Sequence, residues 1–112
     1  MAYVVRLLEP AQEFVRGLDT KLKARVYWVL SLLKDTGPFL VEPYAKKIHD
    51  VKGLYELRVQ SGNLACRMFY FHDTDAIYVI TSGFIKKKQK TDRRELDRAI
   101  ALMKQYQEER HG

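Results

Sequence analysis

Between residues 83 and 90 the chain reads Gly83-Phe84-Ile85-Lys86-Lys87-Lys88-Gln89-Lys90, four lysines within five positions. Ammonium groups concentrated in this way build a potential that gathers phosphates. Lysines leaving a strand end just before a helix converge on whatever lies over that edge of the sheet, and the helix-start N–H groups favour an anion too. Arg93, Arg94 and Arg98 prolong the positive stretch, with Asp92, Glu95 and Asp97 partly offsetting it. A lysine run alone is usually a solvated face, but two arginines shift that balance. Arg58, in Leu57-Arg58-Val59, and Arg67, in Cys66-Arg67-Met68, sit in mid-strand patterns, where an unpaired buried guanidinium is very costly. Arg58 alternates with Tyr55, Leu57 and Val59 and so belongs to the outward face. Arg67 shares its side with Phe69 and Phe71, which leaves three readings: a sheet open to solvent, an ion pair with an acidic neighbour such as Glu56, or a polar cleft. Phe84 follows a glycine and precedes the lysines, where an exposed ring can stack on a base; Tyr55, Phe69, Tyr70, Phe71 and Tyr78 fit a core.

Other chemistries lack their residues. His49, His72 and His111 are scattered, none at i, i+4 from another ligand, and Cys66 is the single cysteine, so zinc spacings are missing. Cys66 reads as a small buried hydrophobe. There is no G-x-S-x-G elbow, and the six glycines are dispersed rather than gathered into a nucleotide loop. No metal or cofactor is expected.

The elements that must position these residues follow from periodicity. Tyr3 to Leu8 is β-rich and reads as a strand, ended by Glu9-Pro10, where a proline can open a helix at no cost in hydrogen bonds. Ala11, Phe14, Val15 and Leu18 fall at helical spacing. A second helix runs from about Leu22 to Lys34, with Leu22, Val26, Val29, Leu30 and Leu33 as its apolar stripe, Lys21, Arg25 and Lys34 off it, and Tyr27 and Trp28 flanking it. Thr36-Gly37-Pro38 stops it. Residues 37–53 read as an irregular connection. The period then becomes two: strands at Tyr55–Gln60, Leu64–Phe71 and Ala76–Phe84, joined by Ser61-Gly62-Asn63 and His72-Asp73-Thr74-Asp75, form an antiparallel meander. Thr91 or Asp92 caps a terminal helix whose apolar face is Leu96, Ala99, Ile100, Met103 and Tyr106. The order β-α-α-β-β-β-α predicts an α+β fold in a single domain spanning 1–112.

The chain has 112 residues and a net charge of +6. Residues 46–90 hold nine Lys/Arg against four Asp/Glu, so five of the six excess charges lie in the middle of the sequence. There is no apolar run of membrane-spanning length and no signal-peptide pattern at the N-terminus, which predicts a small cytoplasmic domain.

Lys52-Gly53-Leu54-Tyr55-Glu56-Leu57-Arg58, Cys66-Arg67-Met68-Phe69-Tyr70-Phe71 and Gly83 through Thr91 together resemble the successive signatures of phage-derived, HigB-like toxins of the RelE/ParE superfamily. The element order matches over nearly the whole chain. This resemblance implies a RelE-like, mostly antiparallel four-stranded sheet packed against helices. It implies the toxin of a type II toxin–antitoxin pair, which cuts mRNA in the decoding site of the ribosome. A helix-turn-helix antitoxin would restrain it, operator DNA being touched only through that complex, with no membrane involved. The family's strand arginine in an R-x-x-[YF] setting falls on Arg67, with Tyr70 following; its ELR arginine falls on Arg58; its F-x-K-K stretch falls on Phe84, Lys86 and Lys87. Asp92 stands where relatives often show proline, and Ser82 where many carry histidine. In the implied metal-independent reaction an RNA 2′-OH attacks the adjacent phosphate, giving a 2′,3′-cyclic phosphate and a free 5′-OH. Arg67 and Arg58 would clamp the phosphate, and Lys86 or Lys87 would move the proton. Lys46, Lys47, Lys52, Phe84, Lys88 and Lys90 are the expected RNA contacts. Two other activities occur or are conceivable within the superfamily: ParE-like inhibition of DNA gyrase, and non-catalytic nucleic-acid binding beside the antitoxin in operon autorepression.

Overall fold

A computed structural model describes residues 2–87, 89–90 and 92–111, the side chain of His111 excepted. The elements are β1 (Val4–Leu7), α1 (Glu9–Arg16), α2 (Thr20–Thr36), β2 (Ala45–Lys47), β3 (Leu54–Ser61), β4 (Leu64–His72), β5 (Ile77–Ile85) and α3 (Arg93–His111), with one 3-10 turn at Gly37–Phe39 after α2. They form one mixed sheet in the order β1-β5-β4-β3-β2, in which β1 runs parallel to β5 and all other pairs are antiparallel. The fold is α+β, as expected, but the expected four strands are five. The additional strand, β2, lies inside the segment read as irregular. Three residues, of which only Ala45 is buried, are too few to display an alternation.

Both faces of the sheet are covered, by different helices. On one face Ala11 and Val15 of α1 and Leu22, Val26, Val29, Leu30 and Leu33 of α2 pack against Leu57, Val59, Cys66, Met68, Tyr70, Tyr78 and Ile80. On the other, Leu96, Ala99 and Met103 of α3 pack against Leu54, Phe69, Phe71 and Val79, with Phe84 at the margin. Asp19 caps α2 by accepting from the Leu22 N–H at 2.8 Å, and Asp92 does the same for α3 through the Arg94 N–H at 2.9 Å; Thr91, the other capping candidate, lies outside the described residues. The far end of α3 is tied down by polar contacts. Tyr106 Oη accepts from Arg6 Nη1 of β1 at 2.6 Å and donates to Asp73 Oδ2 at 3.3 Å, and Arg110 Nε lies 3.5 Å from the same carboxylate. Among the described residues no helix is long and apolar enough to cross a membrane.

Gly37, at the end of α2, has φ +53° and sits under the Tyr3 ring, 2.3 Å from where a Cβ would stand. Tyr3 is held from both sides, its N–H donating to the Lys34 carbonyl at 2.7 Å and its ring packing edge-on against Tyr78. Gly37→Ala should therefore cost about 2 kcal/mol or more, from the backbone conformation and the displaced ring together, read as a lower urea midpoint with unchanged slope.

Cys66 is completely buried, and burial pushes its thiol up to about 12, the nearby Arg67 charge opposing only in part. Two results follow. The thiol should react with a disulfide reagent at pH 8 only as fast as the protein opens. Because the thiol titrates at a lower pH when unfolded, near 9, its contribution to stability is full below that value and is lost as pH climbs toward 12. Alkaline denaturation followed by circular dichroism checks this, with Cys66→Ala flattening the decline.

Candidate phosphate-binding site

Strand register brings three of the predicted site residues together. Arg58 of β3 stands directly opposite Arg67 of β4, and Arg67 opposite Phe84 of β5. All lie on the α3 face of the sheet, where they continue the surface beyond the apolar patch that α3 covers. Lys86 joins them because β5 carries a bulge opposite the Phe69/Tyr70 step: Phe69 pairs with Ser82 and Tyr70 with Ile80, leaving Thr81 as the extra residue. Uninterrupted alternation from Tyr78 would send Lys86 to the α1–α2 face. The bulge inverts the sequence parity after Thr81, so Phe84 and Lys86 face α3 while Gly83, Ile85 and Lys87 turn the other way. Thr81 is held there by its hydroxyl, which donates to the Phe69 carbonyl at 3.4 Å.

Glu56 sits at the centre of the cations. Its carboxylate is 3% exposed and lies 3.1 Å from Arg58 Nε and 3.6 Å from Arg67 Nε. Of the three readings for Arg67, the ion pair with Glu56 is the one found, and the cleft is present as well. The Arg67 guanidinium donates through Nη1 to the Cys66 carbonyl at 3.2 Å, but its buried Nε has no hydrogen-bond partner among the described residues. That Nε is shut off from solvent and faces Glu56, so of the five guanidinium donors it is the remaining Nη hydrogens that can meet an incoming acceptor. Burial lowers its pKa from the ordinary 12.5, Glu56 raises it and Arg58 lowers it; it stays charged at neutral pH. The Lys86 ammonium is also lowered, first by burial, then by the charge of Arg67, with Glu56 opposing and Arg58 adding. Its Nζ donates to the Gln89 carbonyl at 2.9 Å. Three cations around one carboxylate leave an excess of positive charge at an opening in the surface. Two guanidinium groups in this arrangement have the chemistry to clamp a phosphate, next to a lysine whose proton is loosened.

The remaining predicted residues are spread around this centre. Lys87 and Lys90 line a separate open groove with Phe14, Gly83, Phe84 and Arg94, of about 580 Å³. The structure thus separates Lys86 from Lys87, which the sequence left equivalent. Phe84 is half-buried, one ring face stacked on Phe69 at a centroid distance of 5.8 Å. Lys88 lies outside the described residues. Lys46 stands opposite Glu56 across the β2–β3 ladder, on the site's face; Lys47, opposite Tyr55, points to the other. Lys52 is exposed in the loop before β3, toward the opposite end of that strand from Arg58.

A second groove opens directly from the arginines, around the edge of β3 that β2 leaves uncovered. Arg25, Val29, Pro43, Tyr44, Arg58, Val59, Gln60 and Arg67 enclose about 330 Å³. Arg25, Tyr44 and Gln60 were not among the expected site residues. The usable sequence signal was Arg25 three positions before Trp28, a helical spacing that here places the guanidinium 4.1 Å from the indole centroid.

The profile of the family described as "Phage derived protein Gp49-like (DUF891)" matches residues 13–104. No curated protein matches the chain. Among solved structures, a mutant of the E. coli toxin RelE in the free state is similar at a TM-score of 0.67 and 18% identity, covering 90% of this chain and 97% of that one. The intact E. coli RelBE toxin–antitoxin complex gives 0.61 and 17%, covering 78% of this chain and all of the matched one. The toxin–antitoxin complex RelBE2 from Mycobacterium tuberculosis gives 0.60 and 18%, with 77% and 100% covered. At these identities the likeness establishes a shared fold.

Proposed function

The chain belongs to the phage-derived Gp49-like family, and from that premise together with the site's geometry we propose that it is the toxin of a toxin–antitoxin pair and a ribosome-dependent mRNA endoribonuclease. The observation that carries this reading is the partly exposed Arg67 guanidinium set beside Arg58 about the buried Glu56 carboxylate, with Lys86 on the same face and within reach of their charges.

Cleavage of RNA by its own 2′-OH needs three tasks done: the hydroxyl must lose its proton, the charge building on phosphorus must be stabilised, and the departing 5′-oxygen must be protonated. Arg58 and Arg67 hold the non-bridging oxygens and stay charged as negative charge grows. Lys86 takes the 2′-OH proton. Its lowered pKa gives it a larger neutral fraction than a free lysine has, while leaving it basic enough to accept. The 2′-oxygen bonds to phosphorus and the bond to the 5′-oxygen breaks. That oxygen takes a proton from solvent water at the open site while the proton on Lys86 is returned to solvent, and the products are a 2′,3′-cyclic phosphate and a 5′-OH. No metal takes part in this scheme. The open site relies on the ribosome to hold the mRNA in line, which supplies the positioning that a deep pocket would otherwise provide. The partner that silences the protein is an antitoxin, a reading supported by the RelE-type chains solved in complexes with theirs.

The test is cleavage of a defined mRNA on programmed ribosomes, with ends mapped by primer extension. Cuts confined to the decoding codon, bearing cyclic-phosphate ends and lost in Arg67→Ala, are expected. Intact mRNA in the presence of folded wild-type protein would sink the reading.

A further inference from the structure

We propose that the groove bounded by Arg25, Tyr44, Val59 and Gln60 is a single-nucleotide subsite, which takes the base of the nucleotide whose phosphate lies on Arg58 and Arg67. The proposal rests on the nuclease reading for its biological meaning, but its physical content is separate.

Three observations carry it. First, the groove and the phosphate site are continuous: Arg58 and Arg67, the two guanidinium groups beside Glu56, are also walls of the cavity. A molecule bound there through an anion must project into the groove or into open solvent. Second, size and lining fit one base. About 330 Å³ accommodates a nucleoside and not a stack of them, and Val29, Pro43 and Val59 supply apolar surface while Tyr44 supplies a ring. Gln60 adds an amide within reach of a base edge; its nitrogen already donates to the Gly62 carbonyl at 3.4 Å. Third, the polar wall is held in place before any ligand arrives. Trp28 is braced between Arg25, whose guanidinium lies 4.1 Å from the indole centroid, and Tyr44, packed edge-on at 5.5 Å. A planar guanidinium fixed in this way offers a flat, charged surface to a base, and little side-chain freedom remains to be lost on binding. Arg25 and Trp28 are themselves exposed on α2, away from its apolar stripe, so core packing gives no reason for either residue.

Trp28 is the only tryptophan, so its emission reports on the groove without a label. The experiment titrates the full-length protein with cytidine 3′-monophosphate and adenosine 3′-monophosphate, and in parallel with inorganic phosphate and ribose 5-phosphate, at low salt. Nucleotides should shift or quench the Trp28 signal at concentrations about tenfold below those needed for the base-free ligands, the scale of one base stacked on a ring. Arg25→Gln, an exposed position that should not disturb folding, should erase that advantage and leave phosphate binding near its original value. Tyr44→Leu should weaken nucleotide binding likewise. Equal binding of nucleotide and inorganic phosphate overturns the proposal, and so does an unchanged nucleotide affinity in Arg25→Gln. The ribosome assay on the same preparations separates the two claims. Cleavage without a nucleotide preference removes the subsite alone; a nucleotide preference without cleavage removes the nuclease alone.

Discussion

Lys86→Ala should lower mRNA cleavage about 100- to 10,000-fold, the range lost with a positioned proton-transfer group, whereas Lys87→Ala should change it by no more than a few-fold. The two residues are neighbours in a run of like residues; alternation puts them on opposite faces, and the strand bulge decides which of the two faces Arg67. Lys86 shares a face with Arg67 and responds to its charge; Lys87 lines the groove beside Phe14 and Gly83. Single-turnover cleavage with saturating protein on programmed ribosomes checks this, because it reports the chemical step and not delivery. The pH dependence gives the sign. A lysine acting as base must be neutral, so the logarithm of the rate should climb with pH and flatten at the pKa of Lys86, below the ordinary 10.5. Lys86→Arg, which keeps the charge but does not deprotonate in this range, should retain ribosome binding and lose the rate.

Glu56→Gln should have the largest effect on stability. Its carboxylate is 3% exposed and neutralises part of the charge of Arg58 and Arg67. Removing one side of a buried ion pair leaves the other uncompensated; about 3 kcal/mol is expected, at the low end for such changes because Arg58 keeps contact with water. The same substitution acts on the chemistry. Glu56 favours the charged form of Lys86, so without it the lysine pKa falls further and the flattening of the rate profile moves to lower pH. Urea unfolding and the rate profile together check the prediction, since a purely structural role for Glu56 would alter the first and leave the second in place.

Much of this arrangement is legible in the sequence, for identifiable reasons. The meander and the helices follow from period-two and helical spacing, which depend on residue type at short range; the pairing of Arg67 with Glu56 is one of three readings the pattern leaves open, and the structure selects it. Arg58 and Arg67 stand out because guanidinium groups inside strands demand an explanation. Three features are not legible. β2 is too short for a pattern, although it places Lys46 beside Glu56. The bulge at Thr81 changes parity without an inserted glycine or proline to announce it, so the sequence names Phe84 and Lys86 as candidates but does not show that they, and not Lys87, face Arg67. The Arg25–Trp28–Tyr44 wall joins α2 to a segment read as loop, a contact that no local period encodes. Candidates marked by residue type within one element were thus readable, and their juxtaposition, which depends on register and long-range packing, was not.

The edge strand β1 has a consequence for the order in which the molecule assembles. Val4 pairs with Ile77, and Arg6 is bonded to Tyr106 near the end of the last helix. Residues of β1 therefore find their partners only once segments some 70 to 100 positions further along are in place. Pairings this distant in sequence must await loop closure and slow the final assembly. β5, which carries Lys86 toward the arginines, is also the strand on which β1 docks. The face that carries Arg58, Arg67 and Lys86 is thus completed only together with the longest-range pairings of the fold, so its formation should track the last and slowest phase of refolding.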